Sequence, residues 1–233
     1  MPSQRPTIFQ FWHSAPPADV GRYVGMWQDD QRFEHRLYDD QMARELIVST
    51  GDLEVVDAFD QSHVPAMRSD IFRYCVLYLF GGIYVDVALT PCGDLMELYN
   101  RCNAGLLLTR VRRFPSGTLN IANGFMIIKN PRTRLMYNLL KAATFNVTRK
   151  TSNNVWQVTG PYILTYLWEL SQWNGIDLFK DIGLIPELEL RKYIRFCDAA
   201  YRGQGMSWSD IQRSRSIFRE TMERPSLTLV QPE

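Results

Sequence analysis

The segment spanning residues 69–95 constrains the fold more than any other part of the chain, because a helical pattern passes directly into a strand pattern. Apolar residues recur at helical spacing through its first half, and Gly81-Gly82 then supplies the positive φ with which helices commonly end. Residues 83–87 form a β-branched and aromatic run that carries Asp86, and Pro91 is expected to block further pairing. The segment predicts a buried helix leading into a buried strand with an acid at its tip.

Asp86, at the tip of this strand, is expected to face a ligand. Ligands of open α/β sheets bind in the crevice beyond the carboxyl ends of the strands. Asp70 and Arg73 lie three residues apart on the preceding helix, so they share a face and could reach the same cavity. Taken singly, each residue also has a structural alternative: Asp70 and Arg73 could form a surface ion pair, and Asp86 could cap a turn. Together with the double glycine, the three residues favour a functional site.

The rest of the chain alternates strand and helix patterns. Residues 7–12 and 33–38 predict strands, each followed by a helix, the first from Asp19 and the second capped by Asp39-Asp40. This order favours an α/β sheet with parallel pairs. Further helices are expected over 53–59, 94–99, 133–145, 162–170 and 210 to about 223, and further strands over 105–109, 123–128, 182–185 and 193–196. We assign residues 1–224 to one domain and 225–233 to a C-terminal tail.

The composition is typical of a globular protein that binds neither nucleic acid nor the bilayer core. Hydrophobic residues make up 45% of the 233 and charged residues 22%, with a formal net charge of +1. Nucleic-acid binders usually carry a basic surplus. No uncharged run is long enough to span a bilayer, the N-terminus lacks the pattern of a secretory signal, and the four cysteines are not closely paired. We expect a cytoplasmic protein that could associate with a membrane only peripherally.

The segment 69–95 also carries a longer ordered pattern, made of Ser69-Asp70, Arg73-Tyr74, Gly81-Gly82-Ile83-Tyr84 and Asp86. In order and spacing this pattern resembles the signature of the DXD-type sugar transferases of glycosyltransferase family 32. The resemblance implies a Rossmann-like single domain of GT-A type, with a central, mostly parallel sheet flanked by helices. It also implies transfer of a hexose from a UDP- or GDP-sugar to a glycan or other hydroxyl acceptor, with retention of anomeric configuration, as in polysaccharide biosynthesis.

The same resemblance implies roles for individual residues. Asp70 would bond hydroxyls of the transferred sugar, and Arg73 would bind the sugar or phosphate side of the donor. Trp12, at the end of the first strand, would stack on the donor base. Asn123 would border the sugar or acceptor, and the structural alternative is that it only forms a turn. For Gly160, the structural alternative to an acceptor-side role is that it only allows a helix to begin. The implied sets are catalytic Asp70, Arg73, Asp86 and Asn123, donor-binding Trp12, Asp70, Arg73, Tyr84, Asp86, Ser207 and Trp208, and acceptor-side Gly160 and Pro161.

The metal-binding part of the motif is incomplete. Residues i and i+2 of a strand point to the same side, so a D-x-D sequence aims two carboxylates at one cation. Here Ala88 stands where the second acid would be. Three alternatives are open: Asp86 holds Mn²⁺ or Mg²⁺ together with phosphates and waters, another acid such as Asp94 substitutes, or the protein is metal-independent or inactive. We favour the first, because Mg²⁺ needs only one or two carboxylates.

Three functions are compatible with these features. The first is a retaining glycosyltransferase that works by front-face substitution, since no second acid is placed like a nucleophile for double displacement. The second is a catalytically inactive nucleotide-sugar-binding or scaffold protein, which Ala88 and the lack of a late histidine motivate. The third is a nucleotide-sugar hydrolase, in which water replaces the acceptor.

Overall fold

The computed structural model describes residues 5–110, 119–198 and 208–219, which alternate strands and helices from the first strand onward. The first half contains β1 (Thr7–Phe11), α1 (Ala18–Gly25), β2 (Glu34–Tyr38), α2 (Asp40–Val48), α3 (Leu53–Gln61), α4 (Pro65–Phe80), β3 (Gly82–Val85), β4 (Leu89–Pro91) and α5 (Leu95–Arg101). The second half contains β5 (Gly105–Arg110), β6 (Asn120–Ile128), α6 (Arg134–Thr148), α7 (Val155–Val158), α8 (Pro161–Asn174), β7 (Ile182–Pro186), α9 (Glu187–Leu190), β8 (Ile194–Phe196) and α10 (Trp208–Ser214).

The central sheet is mostly parallel, with the strand order β2-β1-β3-β6-β5-β7. Strand β1 pairs in parallel with β2 and β3, and β5 pairs in parallel with β7. Only β6 is reversed among these six strands, since it is antiparallel to both β3 and β5. Strands β4 and β8 form a separate two-stranded sheet. The expected α/β class, with a mostly parallel central sheet flanked by helices, is confirmed.

Both faces of the central sheet are covered, and alternate residues of the strands feed two separate cores. On β3, Ile83 and Val85 enter one core while Tyr84 enters the other, as the two-residue period of a strand requires. On β1, Phe9 and Ile8 are divided in the same way. Sheets buried on both faces have strands that read as continuous apolar runs, which explains the run at residues 83–87.

Helix α4 is the most deeply buried element described. Every residue from Met67 to Leu77 is buried, including the polar and charged ones. A helix without a polar face can only sit inside the protein, because solvent would otherwise contact its apolar residues. Pro65 occupies the first turn and Gly81 caps the end with φ 66°, as expected. The helix therefore delivers Asp70 and Arg73 into the interior rather than to a surface.

Three expectations about the elements are wrong. Pro91 does not end pairing, because it lies in β4 opposite Ile194 of β8, on a two-stranded sheet that tolerates a missing N–H. Asn123 does not open its strand, since β6 begins three residues earlier. The last helix ends at Ser214 rather than near 223, because buried Ile217 turns into the core, where its carbonyl accepts the His63 backbone N–H.

Other boundaries agree with the sequence to within a few residues. Asp39 caps α2 through its side chain, as expected. Asp86 lies just past the end of β3, where its carbonyl accepts the backbone N–H of Leu89 and starts a turn. No helix of the described ranges is long and apolar enough to cross a membrane. All four cysteines are free. The tail at 225–233 and the end of the assigned domain lie outside the described residues.

We expect Gly81→Ala to lower the free energy of unfolding by about 3 kcal/mol or more, because two costs coincide. Its φ of 66° is unfavourable for any residue with a Cβ, and that Cβ would lie 2.8 Å from the Ile128 carbonyl oxygen. Gly51→Ala is the matched control, with φ 74° but no atom within 4 Å, and should cost only about 1 kcal/mol. Urea denaturation of both variants measures the difference, and equal losses would contradict the packing argument.

Candidate active site

The candidate site lies beyond the carboxyl ends of β1 and β3, where the sequence placed it. Trp12 directly follows β1, and its backbone N–H donates to the Tyr38 carbonyl oxygen over 2.9 Å. Asp86 directly follows β3, and its backbone N–H donates to the Gly124 carbonyl oxygen over 2.8 Å. The Trp12 ring packs against a small cluster that contains Val87. The indole and the carboxylate therefore border one end of the sheet.

Arg73 is the centre of the site and joins its two acids. Its Nη2 lies 3.2 Å from Asp70 Oδ1 and 3.2 Å from Asp86 Oδ1. The same nitrogen donates to Ser69 Oγ over 2.8 Å, and Nη1 donates to the Asn123 carbonyl oxygen over 2.7 Å. The Arg73 and Asp70 side chains are buried, whereas the Asp86 side chain is 43% exposed. The ion-pair chain thus runs from the interior to solvent and ends on Asp86.

Asp70 is held by hydrogen bonds on both carboxylate oxygens. Oδ1 accepts from Asn123 Nδ2 over 2.8 Å, and Oδ2 accepts from Thr159 Oγ1 over 2.9 Å. Burial raises the pKa of Asp70 to about 6, against the opposing attraction of Arg73 and the hydrogen bond from Thr159. A carboxylate with both oxygens engaged is fixed in place, and it presents no free oxygen as a nucleophile.

Two tyrosines complete the buried part of the network. Tyr74 Oη accepts from Asn123 Nδ2 over 2.9 Å and donates to the Thr159 carbonyl oxygen over 2.9 Å. Tyr84 lies beneath Arg73, whose Cζ is 4.3 Å from the ring centroid, and shares a 2.8 Å hydrogen bond with Ser69. Because Tyr84 is buried, it holds the guanidinium in place and does not present its hydroxyl to the crevice.

Gly124 sets the position of the Asp86 carboxylate. A Cβ on Gly124 would lie 2.5 Å from Asp86 Oδ2, so only glycine allows the carboxylate to lie over this strand. One carboxylate oxygen therefore faces Arg73 and the other packs over Gly124. The Asn-Gly pair inside an apolar strand pattern was the available signal for this close approach, and the sequence reasoning did not use it.

The donor atoms suit a cation shared with a phosphate, and they do not form a complete protein site. Ala88 is buried and offers no ligand. Asp94 accepts hydrogen bonds from the first backbone N–H groups of α5 and lies 3.0 Å from Arg32, so its carboxylate already has partners. Within the described ranges, no three His, Cys, Asp or Glu side chains are grouped to hold a metal. The carboxylates of Asp70 and Asp86 nevertheless carry two negative charges against the one positive charge of Arg73. This net negative charge attracts a cation to the exposed Asp86.

The acceptor-side residues have a structural explanation as well. Gly160 is buried, and a Cβ there would lie 2.8 Å from the Trp156 Cα, so the chain itself requires the glycine. Pro161 occupies the first turn of α8. Thr159, between α7 and Gly160, is the residue of this block that contacts the site, through Asp70. The acceptor-side prediction named Gly160 and Pro161 but not Thr159, because nothing in the local sequence shows which side chain points inward.

Trp208 begins α10 and is 41% exposed. Helix α10 contacts α7, where Gln212 Oε1 accepts the Val155 backbone N–H over 3.1 Å. Trp208 therefore belongs to the element beside α7, next to the Thr159 block. Ser207, expected beside Trp208 in donor binding, lies outside the described residues. The structure thus brings together Asp70, Arg73, Asp86 and Asn123, with Trp12 at the same end of the sheet.

Comparisons with known proteins relate this chain to glycosyltransferases. Residues 6–103 match the family described as "Glycosyltransferase sugar-binding region containing DXD motif". An initiation-specific alpha-1,6-mannosyltransferase of Schizosaccharomyces pombe is 32% identical over 171 residues, 63% of this chain and 43% of the relative. An inositol phosphoceramide mannosyltransferase of the same organism is 27% identical over 209 residues, 87% of this chain and 55% of the relative. The chain thus spans about half the length of these relatives.

Among solved structures, one similar chain is described as "PaToxG Glycosyltransferase". It is 14% identical in sequence, and the alignment covers 80% of this chain and 76% of that one, with a TM-score of 0.45.

We expect the raised pKa of Asp70 to make stability fall as pH rises from about 4 to about 6. Between the ordinary carboxyl pKa of 3.8 and the folded value of about 6, the folded protein holds a proton that the unfolded chain has released. The free energy of unfolding should therefore decrease across this window, by at most about 1.4 kcal/mol per pH unit. Urea denaturation at several pH values should show this slope in the wild type and a flatter one in Asp70→Asn. Equal slopes would contradict the assignment.

Proposed function

Since residues 6–103 of this chain match the sugar-binding region of the DXD-type glycosyltransferases, we propose that the protein transfers a hexose from a nucleotide-diphosphate sugar to a hydroxyl acceptor. The observation that carries the proposal is the chain of ion pairs from buried Asp70 through Arg73 to exposed Asp86, at the carboxyl ends of two parallel strands. This is the edge of an α/β sheet where ligands bind.

The donor is proposed to lie with its base near Trp12 and its diphosphate near Asp86. A flat indole can stack a nucleobase for about 1–3 kcal/mol. Either UDP or GDP would be accepted by stacking alone. The names of both yeast relatives favour mannose as the transferred sugar, and GDP-mannose is the first donor to test.

Asp86 is the residue proposed to hold Mn²⁺ or Mg²⁺, jointly with phosphate oxygens of the donor. A divalent cation bound there would neutralise the negative charge that develops on the leaving diphosphate. Arg73 holds Asp86 Oδ1, and Gly124 leaves room for Oδ2, so the carboxylate is oriented before ligands arrive. Orientation in advance removes an entropic cost from binding.

We propose that the transfer retains the anomeric configuration by front-face substitution. The acceptor oxygen forms a bond to the anomeric carbon while the bond from that carbon to the diphosphate breaks, and the leaving phosphate oxygen takes the acceptor proton. Asp70 is a poor nucleophile for double displacement, because both of its oxygens accept hydrogen bonds in a buried network. The anomeric configuration of the product, read by NMR, tests retention, and a trapped covalent glycosyl-enzyme would contradict the single-step route.

Two alternative functions remain open because Ala88 replaces the second acid of the motif. An inactive nucleotide-sugar-binding protein would bind the donor without turnover. A hydrolase would release free sugar at its full rate without any acceptor. The cytoplasmic location, peripheral membrane association and a role in polysaccharide biosynthesis, expected from the sequence, stay predictions.

The central test is calorimetric titration of UDP, GDP, UDP-glucose and GDP-mannose, with and without Mn²⁺. We expect Mn²⁺-dependent binding of at least one nucleotide, weakened about tenfold or more in Asp86→Ala because the oriented carboxylate is lost. Asp94→Asn is the matched control, since it changes the alternative acid while keeping a helix cap, and it should bind like the wild type. Absence of binding by every nucleotide would overturn the proposal, and weakening in Asp94→Asn alone would move the cation site there.

Gly124→Ala should weaken Mn²⁺-dependent nucleotide binding about tenfold, because the added methyl would push the Asp86 carboxylate out of its position. Gly183→Ala, on the edge strand β7, is a control of the same chemical change, where the added Cβ meets a flexible leucine side chain at 3.1 Å. The same titration gives both affinities. Wild-type affinity in Gly124→Ala would show that the position of this carboxylate does not matter.

A further inference from the structure

A cavity of about 250 Å³ lies outside the candidate active site. It is formed where α7 and α8 meet the beginning of β6. We call it the aromatic cavity, and its principal lining residues are Asn120, Trp156, Tyr162, Thr165, Tyr166 and Glu169. None of these residues has a part in the donor site described above.

One face of α8 supplies most of the lining. Tyr162, Thr165, Tyr166 and Glu169 follow the spacing i, i+3, i+4, i+7, which places them on one side of a helix. The rings of Tyr162 and Tyr166 are stacked, with centroids 6.2 Å apart and planes at 13°. Both tyrosines are substantially exposed, at 41% and 47%. We call these two parallel, solvent-exposed rings, which line the cavity, the platform.

The adjoining helix α7 extends the platform with a third ring. The Trp156 and Tyr162 centroids are 5.2 Å apart, with planes tilted by 50°. Gly160 allows this approach, since it lets the start of α8 pack against the Trp156 backbone. Thr165 accepts the backbone N–H of Ile121 over 3.0 Å and so fixes α8 against β6. The platform therefore has a rigid base.

One residue lining the cavity carries a buried hydrogen-bond acceptor that the described part of the chain leaves unpaired. Asn120 is 5% exposed, and its Oδ1 receives no hydrogen bond from any described residue. A buried amide oxygen without a partner is destabilising, and such groups in native proteins usually have a ligand, a water or a functional role. Asn120 lines the aromatic cavity, so its unpaired Oδ1 is the acceptor that we assign to a ligand bound there.

We propose that the aromatic cavity binds a neutral hexopyranose unit of the acceptor glycan. A pyranose ring has apolar C–H faces that can cover aromatic rings and a rim of hydroxyl groups that donate and accept hydrogen bonds. Here the rings of Trp156 and Tyr162 would receive a C–H face, Asn120 Oδ1 would accept from one hydroxyl, and the exposed Glu169 carboxylate from another. This inference rests on the proposed transferase function and assigns its acceptor subsite.

The cavity is connected to the donor site through two short stretches of chain. Asn120 precedes Asn123 on β6 by three residues, or about 10 Å at the rise of a strand. Asn123 contacts Asp70 directly. Trp156 precedes Thr159 by three residues, and Thr159 contacts Asp70 from the other side. A glycan bound in the cavity would have to span about 10 Å along β6 to reach the ion-pair network where the sugar is proposed to be transferred.

A membrane surface is the competing occupant for exposed aromatic residues. Trp173 is 88% exposed and lies seven residues after Tyr166, so it continues the same face of α8. Interfacial helices, however, present a broad apolar face flanked by Lys and Arg. The face of α8 instead carries Glu169 beside a concave cavity with a buried amide. These features favour a hydroxyl-bearing ligand over lipid.

The test is calorimetric titration of neutral oligosaccharides, namely α-linked mannotriose, maltotriose and lactose, into the protein. We expect at least one of them to bind, and Tyr162→Ala to weaken its binding about tenfold because a stacking ring is lost. Tyr162→Phe keeps the ring and should stay within about twofold. Asn120→Leu should also weaken binding about tenfold, since the hydroxyl would lose its acceptor.

Tyr137→Ala is the matched control for loss of an exposed tyrosine. Tyr137 lies on α6, is 48% exposed and has no place in the cavity, so its replacement should leave saccharide affinity unchanged. Binding should also change the tryptophan fluorescence, and this change should disappear in Trp156→Phe. Nucleotide binding, measured in parallel, should be the same in Tyr162→Ala as in the wild type.

The parallel titrations separate failure of this inference from failure of the proposed function. If nucleotides bind but no saccharide does, or if Tyr162→Ala binds saccharide normally, the acceptor subsite is wrong and the transferase proposal stands. If saccharide binding depends on Tyr162 while no nucleotide binds, the transferase proposal falls and the cavity is a plain saccharide site. Co-sedimentation with phosphatidylcholine–phosphatidylserine vesicles that is lost in Tyr162→Ala, without saccharide binding, would overturn the inference in favour of a membrane surface.

Discussion

The structure depends on one buried cation, the guanidinium of Arg73. It lies between Asp70 and Asp86, above the ring of Tyr84, and each of these neighbours comes from α4 or from the end of β3. Removing one partner from a buried ion pair usually costs about 3–5 kcal/mol, because the other charge is left without compensation. The helix that ends at Gly81 and the strand that follows it are thereby held in one relative position. The stability of this part of the fold and the geometry of the site come from the same contacts.

The same network explains why polar residues occur inside a helix that has no polar face. A charged side chain within α4 is tolerated only where every donor and acceptor finds a partner. Ser69, Asp70 and Arg73 meet this condition through β3, β6 and the turn before α8, which are distant in sequence. Three separate parts of the chain must therefore be in place before the site forms. Asp86 alone of the charged members reaches solvent, and it is the group best placed to meet a ligand.

Much of the fold was predictable, because its signals are local. The helix before Gly81, the acid after the following strand, and the alternation of elements all follow from spacing, capping and β-branched runs. The errors have long-range causes. Pro91 pairs with a strand more than one hundred residues later, and the last helix is short because Ile217 is buried and its carbonyl oxygen accepts the His63 backbone N–H between α3 and α4. Neither contact leaves a trace in the residues nearby, so propensity could not foresee them.

The sequence by itself determined the α/β class and the end of a helix at a glycine pair followed directly by a strand. It also identified Asp70, Arg73 and Asp86 as the candidate residues. It could do so because helix period, glycine stops and strand runs are properties of neighbouring residues. Only the tertiary structure decided that Tyr84 lies beneath Arg73, that Thr159 and Asn123 hold Asp70, and that Gly124 makes room for Asp86. It also decided that three aromatic residues line one cavity with Asn120, whose side-chain oxygen has no donor among the described residues. Such contacts join segments far apart in the chain, and they exist only once the sheet has set strand order and register.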